Sequence, residues 1–176
     1  LDPVAVQVEQ VLNKNQMTYH FQPIVNAMNG QIYAYEALMR TTGDAEISPL
    51  TVIQYAAMMG RLYEVEWLTY CNVLAYMRAH EKMFEDRKIF INSIPGHFIS
   101  DADFAKLRDL YSDLLPKLVV EFTEQAESDG EELKQMQNRL NNYGMEIAVD
   151  DYGTGYSNIS NLLRYSPNYV KIDRSL

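Results

Sequence analysis

The chain has 176 residues, of which 47% are hydrophobic, and a net charge of −9. This length and apolar content suffice for one sizeable core, and no apolar run approaches the roughly 20 residues that cross a bilayer. The negative charge argues against a nucleic-acid polymer as partner, because such a partner requires a basic face. No secretory signal opens the sequence, and its single cysteine, Cys71, is interpreted as a buried core thiol. We therefore expect a cytoplasmic protein segment without direct membrane contact.

Apolar patterns and turn signals along the chain predict alternating strands and helices. A strand within 13–25 reaches a second strand over 31–39 through the Asn29-Gly30 turn signal, so these two are predicted to pair antiparallel. Further strands are predicted over 88–93, 117–123, 146–151 and after Pro167, and helices over about 48–59, 62–79, 101–114, 128–144 and 158–165. Helices between successive strands favour right-handed crossovers and a mainly parallel sheet.

The most informative stretch is residues 147–157, IAVDDYGTGYS. A short apolar run leads directly into the adjacent carboxylates of Asp150 and Asp151. Removing a carboxylate from water costs several kcal/mol unless a cation or strong hydrogen bonds compensate, so the pair suggests a metal or substrate site. A solvated turn is the alternative, since Asp and Gly dominate ordinary turns. For this stretch alone both interpretations stay open.

Polar residues follow other predicted strands in the same way. Asn92 follows one strand, Glu121 and Glu124 follow the next, and Lys171 and Asp173 accompany the last. Glu36 and Arg40 belong to the second strand near the start. In a parallel barrel the C-terminal strand ends converge on one face, where active sites are built. The recurrence therefore predicts one shared site.

These segments resemble, in order, the motifs of the EAL domain family, bacterial phosphodiesterases that act on cyclic di-GMP. The matching segments are FQPIV (21–25), YEALMR (35–40), INS (91–93), VEFTE (120–124), DDYGTGYS (150–157) and VKID (170–173). The resemblance implies an α/β fold, a TIM-like (β/α) barrel with an antiparallel first strand. The sequence predicts about six of its eight strands. We therefore expect residues 1–176 to form a single EAL domain that lacks strands seven and eight.

The resemblance also implies roles for individual residues. Four side chains would hold a first Mg2+ or Mn2+ ion and Asp151 a second: Glu36, Asn92, Glu121 and Asp150. Two such ions can activate water and neutralise phosphate charge. Lys171 would be catalytic, orienting water or stabilising phosphate charge, and Glu124 would fix the loop after Asp151.

The implied substrate contacts are Gln22, Arg40 and Asp173, and Arg40 is suited to phosphate by its fork of donors. For Asp173, a structural salt bridge with Lys171 is an open alternative.

The implied activity is metal-dependent hydrolysis of cyclic di-GMP to linear pGpG. The alternative is a non-catalytic cyclic di-GMP receptor that signals through a neighbouring domain. Because an acidic residue on strand seven would be missing, we expect the isolated chain to be weakly active or inactive. Flanking regulatory domains and a homodimer through the loop after Asp151 are further expectations.

Overall fold

The computed structural model describes residues 2–43, 46–123, 130–152 and 166–172 of the chain. Its elements, in chain order, are α1 (Pro3–Asn13), β1 (Met17–Val25), β2 (Ile32–Thr41), α2 (Pro49–Met58), α3 (Leu62–Ala79), α4 (Glu81–Phe84), β3 (Lys88–Asn92), α5 (Asp101–Tyr111), a 3-10 turn (Leu115–Lys117), β4 (Leu118–Thr123), α6 (Gly130–Asn142), β5 (Glu146–Tyr152) and β6 (Tyr169–Ile172). The six predicted strands are confirmed. The helix predicted over 158–165 lies outside the described residues. So does Ser128, the predicted first residue of the helix over 128–144.

Polar caps explain where two of the helices begin. Ser48 accepts a hydrogen bond from the backbone N–H of Thr51 at 3.1 Å, and Pro49 follows at the first helical position. Helix α1 begins in the same manner, since Asp2 accepts from Val4 N–H at 2.9 Å and Pro3 follows. The sequence interpretation missed α1 although the same signal was present.

The sheet has the strand order β1-β2-β3-β4-β5-β6. The β1–β2 pair is antiparallel and the remaining pairs are parallel, as predicted. Three strands separate β2 from β6, yet the hydroxyls of Tyr33 and Tyr169 lie 2.9 Å apart. The sheet is therefore strongly curled, like the wall of a barrel. The described residues form an incomplete TIM-like barrel, with β1 and β6 as its two edges.

Side chains of the curled sheet point to two different faces, because neighbouring residues of a strand alternate in direction. On the outer face, residues such as Ile89, Ile91 and Val120 pack against the helices in the main core. On the concave inner face lies a smaller apolar cluster, which we call the apolar layer: Ala34, Phe90, Val119, Ala148 and the flanking Tyr169. No helix within the described ranges is both long and apolar enough to cross a membrane.

Candidate active site

A row of polar side chains lies next to the apolar layer on the inner face. Each of its members stands two residues after a member of the apolar layer, and the two-residue period of a strand keeps both on the same face. We call this row the polar layer: Glu36, Asn92, Glu121, Asp150 and Lys171, which lie on β2, β3, β4, β5 and β6. Five consecutive strands of one sheet therefore each contribute a polar group toward its C-terminal edge.

Lys171 lies in the middle of three carboxylates of the polar layer. Its Nζ is 3.0 Å from Glu36 Oε1, 3.2 Å from Glu121 Oε2 and 3.7 Å from Asp150 Oδ2. The Glu121 side chain is fully buried, and the side chains of Glu36 and Asp150 are only 15% and 21% exposed. One cation thus faces three acidic groups in a partly dehydrated position.

The ionisation of Glu121 and Lys171 reflects this crowding. The pKa of Glu121 is raised to about 7, chiefly by burial. Lys171 opposes the change, and the neighbouring Glu36 and Asp150 add to it. Burial lowers the pKa of Lys171, but the carboxylates, Glu121 foremost, outweigh burial, and the net change is upward. Lys171 therefore stays protonated at neutral pH.

The donor set of the polar layer fits a divalent cation. Glu121 Oε1 is buried and has no hydrogen-bond partner within the described residues, and leaving such an acceptor unpaired is costly. Carboxylate and amide oxygens are the ligands that Mg2+ and Mn2+ prefer. Within the described residues, no three His, Cys, Asp or Glu side chains are arranged so that they could hold a metal ion. The ammonium group occupies the centre of the acidic cluster.

The predicted substrate residues lie on β1 and β2 beside the polar layer. Gln22 is the direct cross-strand partner of Glu36, so the two side chains share a face. Arg40 follows Glu36 by four residues, and its guanidinium donates to the carbonyl of Met39 at 2.7 Å. Arg40 and Asn92 both line a cavity of about 350 Å³ between the ends of β2 and β3 and the helices α2 and α3. Apolar residues including Leu38, Ile53 and Ile94 form most of the remaining wall.

The structure thus brings Glu36, Glu121, Asp150 and Lys171 into direct contact and places Asn92 beside Glu121 as its strand partner. Three other predicted site residues are Asp151, Glu124 and Asp173. Asp151 belongs to β5, but its side chain lies outside the described part of the chain, as do Glu124 and Asp173. The roles predicted for these three stay predictions.

The sequence did not lead us to predict one buried acid near the site, Glu66. Glu66 of α3 is 1% exposed, and its two oxygens accept hydrogen bonds from Ser93 Oγ at 2.6 Å and Ile94 N–H at 2.9 Å. Burial raises the pKa of Glu66 to about 7, although both hydrogen bonds oppose the change. A signal was available, because Tyr70 and Val73 follow Glu66 by four and seven residues and are buried on the same face of α3.

Comparison with known proteins establishes the family. The EAL domain model matches residues 5–176, so the chain belongs to the EAL domain family, as the motifs predicted. It is 31% identical over 175 residues to the probable cyclic di-GMP phosphodiesterase PdeG of Escherichia coli K12, covering 96% of this chain and 34% of that protein. The chain spans 25% to 39% of the length of the first curated relatives that it matches.

Solved structures agree with the fold. The PaMucR phosphodiesterase in complex with c-di-GMP superposes with a TM-score of 0.83 at 26% identity, covering 98% of this chain and 72% of that one. Klebsiella pneumoniae BlrP1, in a manganese and cy-diGMP complex, gives a TM-score of 0.77 at 23% identity, covering 91% and 41%. The predicted fold class, an incomplete TIM-like barrel with an antiparallel first strand pair, is confirmed.

Proposed function

We propose that this domain hydrolyses cyclic di-GMP to linear pGpG in a reaction that requires Mg2+ or Mn2+. The observation that carries the proposal is the polar layer, where three carboxylates meet one lysine and a buried oxygen of Glu121 lacks a partner. The substrate follows from the relatives, since PdeG is named a probable cyclic di-GMP phosphodiesterase and PaMucR was solved with c-di-GMP.

The residues of this chain divide into metal ligands and groups that act on the substrate. Glu36, Asn92, Glu121 and Asp150 would hold the first ion, and Asp151 would hold the second. When bound, such ions supply positive charge to the phosphate and make a water molecule more acidic. BlrP1, which shares the fold, was solved with manganese, and the oxygen donor set here suits Mg2+ equally well.

When the ions bind, the protonated amine of Lys171 would move away from the carboxylates and contact the reacting groups. From β6, Nζ would orient the attacking water or stabilise charge on the phosphate. Water adds to phosphorus, the P–O3′ bond breaks, and the 3′ oxygen receives a proton, which leaves pGpG with a 5′-phosphate. Glu124 would fix the loop that follows Asp151.

Gln22, Arg40 and Asp173 would position the dinucleotide. Arg40 can contact two phosphate oxygens with its planar guanidinium, and it lies at the wall of the 350 Å³ cavity. That cavity is lined mainly by apolar side chains such as Leu38 and Ile53, which suits the flat face of a guanine base.

The test is hydrolysis of cyclic di-GMP by the complete gene product that carries this chain. Linear pGpG should appear with Mn2+ or Mg2+, and chelation by EDTA should stop its formation. Absence of linear product at micromolar enzyme would overturn the proposal. Binding of cyclic di-GMP without any hydrolysis would favour the receptor alternative.

We further propose that residues 1–176 form one EAL domain that lacks strands seven and eight and turns over slowly or not at all by itself. In the described part of the sheet, β6 is an edge strand, and its Val170 and Ile172 are 40% and 69% exposed. Lys171 therefore stands on an open edge, and a site on such an edge is poorly preorganised. Turnover by this chain equal to that of the complete gene product would contradict the proposal.

Flanking regulatory domains, a cytoplasmic location and a homodimer stay predictions. The prediction of flanking domains agrees with the small share of its relatives' length that the chain covers. Analytical ultracentrifugation of the complete gene product tests the dimer, and a monomer at high micromolar concentration would contradict it.

A further inference from the structure

Glu66 is a buried carboxylate on a helix, and both of its oxygens are bound to one short turn. Ser93 Oγ donates to Oε1 at 2.6 Å, and the backbone N–H of Ile94 donates to Oε2 at 2.9 Å. The two donors are the first residues after β3, directly after Asn92. Glu66 therefore ties α3 to the end of the strand that carries Asn92.

Ser93 is held from its other side by β4. Its backbone N–H donates to the carbonyl oxygen of Glu121 at 3.0 Å, and Asn92 is the strand partner of Glu121. A continuous path of hydrogen bonds thus runs from Glu66 through Ser93 to Glu121. Two members of the polar layer, Asn92 and Glu121, are joined by this path to one buried acid.

The helix that carries Glu66 is itself firmly anchored. Val65, Tyr70 and Val73 on α3 are at most 2% exposed, and Thr69 accepts a hydrogen bond from the hydroxyl of Tyr19 on β1 at 3.0 Å. Asn92, in contrast, is exposed at the end of a five-residue strand. The buried partner in this pairing is the helix, and the exposed one is Asn92.

Core packing alone does not account for an acid at this position. A buried carboxylate is costly to dehydrate, and an apolar residue of similar size commonly stabilises a fold as well or better. Glu66 is useful where a strong acceptor must hold a hydroxyl and a backbone N–H in fixed positions. Groups that orient metal ligands in this way are a usual part of metal sites.

We propose that Glu66 is a positioning residue for the metal site, holding the turn 92–94 so that the Asn92 amide oxygen stays beside Glu121. The inference rests on the proposed function, because it takes Asn92 and Glu121 as ligands. Glu66 itself contacts neither the metal nor the substrate. Loss of a residue that orients a ligand typically weakens metal binding by about 10- to 100-fold.

The test is Mn2+ affinity of the metal-free complete gene product, measured by electron paramagnetic resonance of free Mn2+. Glu66→Gln should raise the Kd for Mn2+ at least tenfold. Two controls on α3 should stay within twofold of the wild type. Glu64→Gln removes a partly exposed acid paired with Arg61, and Val73→Ala lowers stability from a fully buried position away from the turn. Wild-type affinity in Glu66→Gln would overturn the proposal.

A second pair of variants keeps the test decisive if Glu66→Gln does not fold. Ser93→Ala removes the hydroxyl that donates to Glu66 and should weaken Mn2+ binding at least threefold, whereas Ser93→Thr, which retains a hydroxyl, should bind like the wild type. Equal affinity of both Ser93 variants would overturn the proposal. A wild type that binds Mn2+ without hydrolysing cyclic di-GMP would refute the proposed function and leave the role of Glu66 intact. A wild type that binds no Mn2+ would refute both.

Discussion

The apolar layer and the polar layer occupy the same five strands, two residues apart, but they differ in what their burial does. Ala34, Val119 and Ala148 are fully buried and Phe90 is 3% exposed, so the apolar layer contributes to stability through the area it removes from water. The polar layer places three acidic side chains around one lysine in a partly dehydrated position, and dehydrating such groups is costly. The residues proposed to act in catalysis thus lie two positions along each strand from the residues that stabilise the sheet.

The contrast leads to opposite expectations for substitutions in the two layers. Removing a group from the apolar layer leaves a cavity, which destabilises the fold. Removing a carboxylate from the polar layer relieves repulsion in the metal-free protein but deletes a proposed metal ligand.

The largest effect is expected in the polar layer. Glu36→Ala or Asp150→Ala in the complete gene product should reduce hydrolysis of cyclic di-GMP by more than about 100-fold, the upper end of what loss of an orienting partner costs. The metal-free thermal midpoint should stay the same or rise. Initial rates with Mn2+ and thermal unfolding with EDTA measure the two quantities. A midpoint lowered by more than about 10 °C would mean that these residues hold the core.

The apolar layer should respond in the reverse way. Phe90→Ala is expected to lower the free energy of unfolding by about 3–5 kcal/mol, because its ring packs against Tyr169 with centroids 5.0 Å apart within the buried cluster. Urea unfolding measures this loss. The fraction that remains folded should bind Mn2+ like the wild type. Unchanged stability would show that the inner apolar cluster does not hold the sheet together.

Glu66 should make the free energy of unfolding depend on pH, since burial raises its pKa from 4.5 to about 7. A carboxyl whose pKa is raised by folding stabilises the fold fully below the unfolded pKa, and this stability is lost as pH rises through the folded pKa. The loss from Glu66 between pH 5 and 8 is at most about 3 kcal/mol, at about 1.4 kcal/mol per pKa unit. Glu66→Gln should therefore lose less stability than the wild type over this range in metal-free urea unfolding. Equal loss in both proteins would contradict the buried, titrating state of Glu66.

The smallest effect is expected at Cys71, which belongs to neither layer. The sequence predicted a buried core thiol, and the structure places Cys71 half-buried on α3 against the main core. Burial raises its pKa to about 11, with Asp103 adding to the change, so the reactive thiolate is scarce near neutral pH. Cys71→Ala should leave hydrolysis within about twofold, and the native thiol should react slowly with a disulfide reagent. Rapid labelling at pH 7 would contradict this.

The strand ends could be predicted because their signal is local. A polar residue directly after an apolar run, as at Asn92 and Glu121, needs only the strand period and the parallel topology to be placed at a common edge. The Asn29-Gly30 turn similarly predicted the antiparallel first pair, which the register confirms. Helix α1 was missed although its Asp2-Pro3 start carried a local signal.

The contacts within the site could not be predicted because they depend on distant parts of the chain. Lys171 reaches Glu36 across 135 residues, and this contact exists only because the sheet curls until β6 faces β2. Glu66 was missed because an acid within a helix is usually solvated. Its spacing from Tyr70 and Val73 indicated a buried helix face, but only the packing of α3 against the turn after β3 shows which groups it binds.

The most direct test is an anomalous difference map for manganese from crystals of the complete gene product grown with Mn2+. A divalent ion at the polar layer predicts a peak about 2.0–2.3 Å from oxygens of Glu36, Asn92, Glu121 and Asp150, with Lys171 Nζ moved away from Glu121. A map without a peak there, in which Lys171 Nζ still joins Glu36 to Glu121, would contradict a metal site built from these strands.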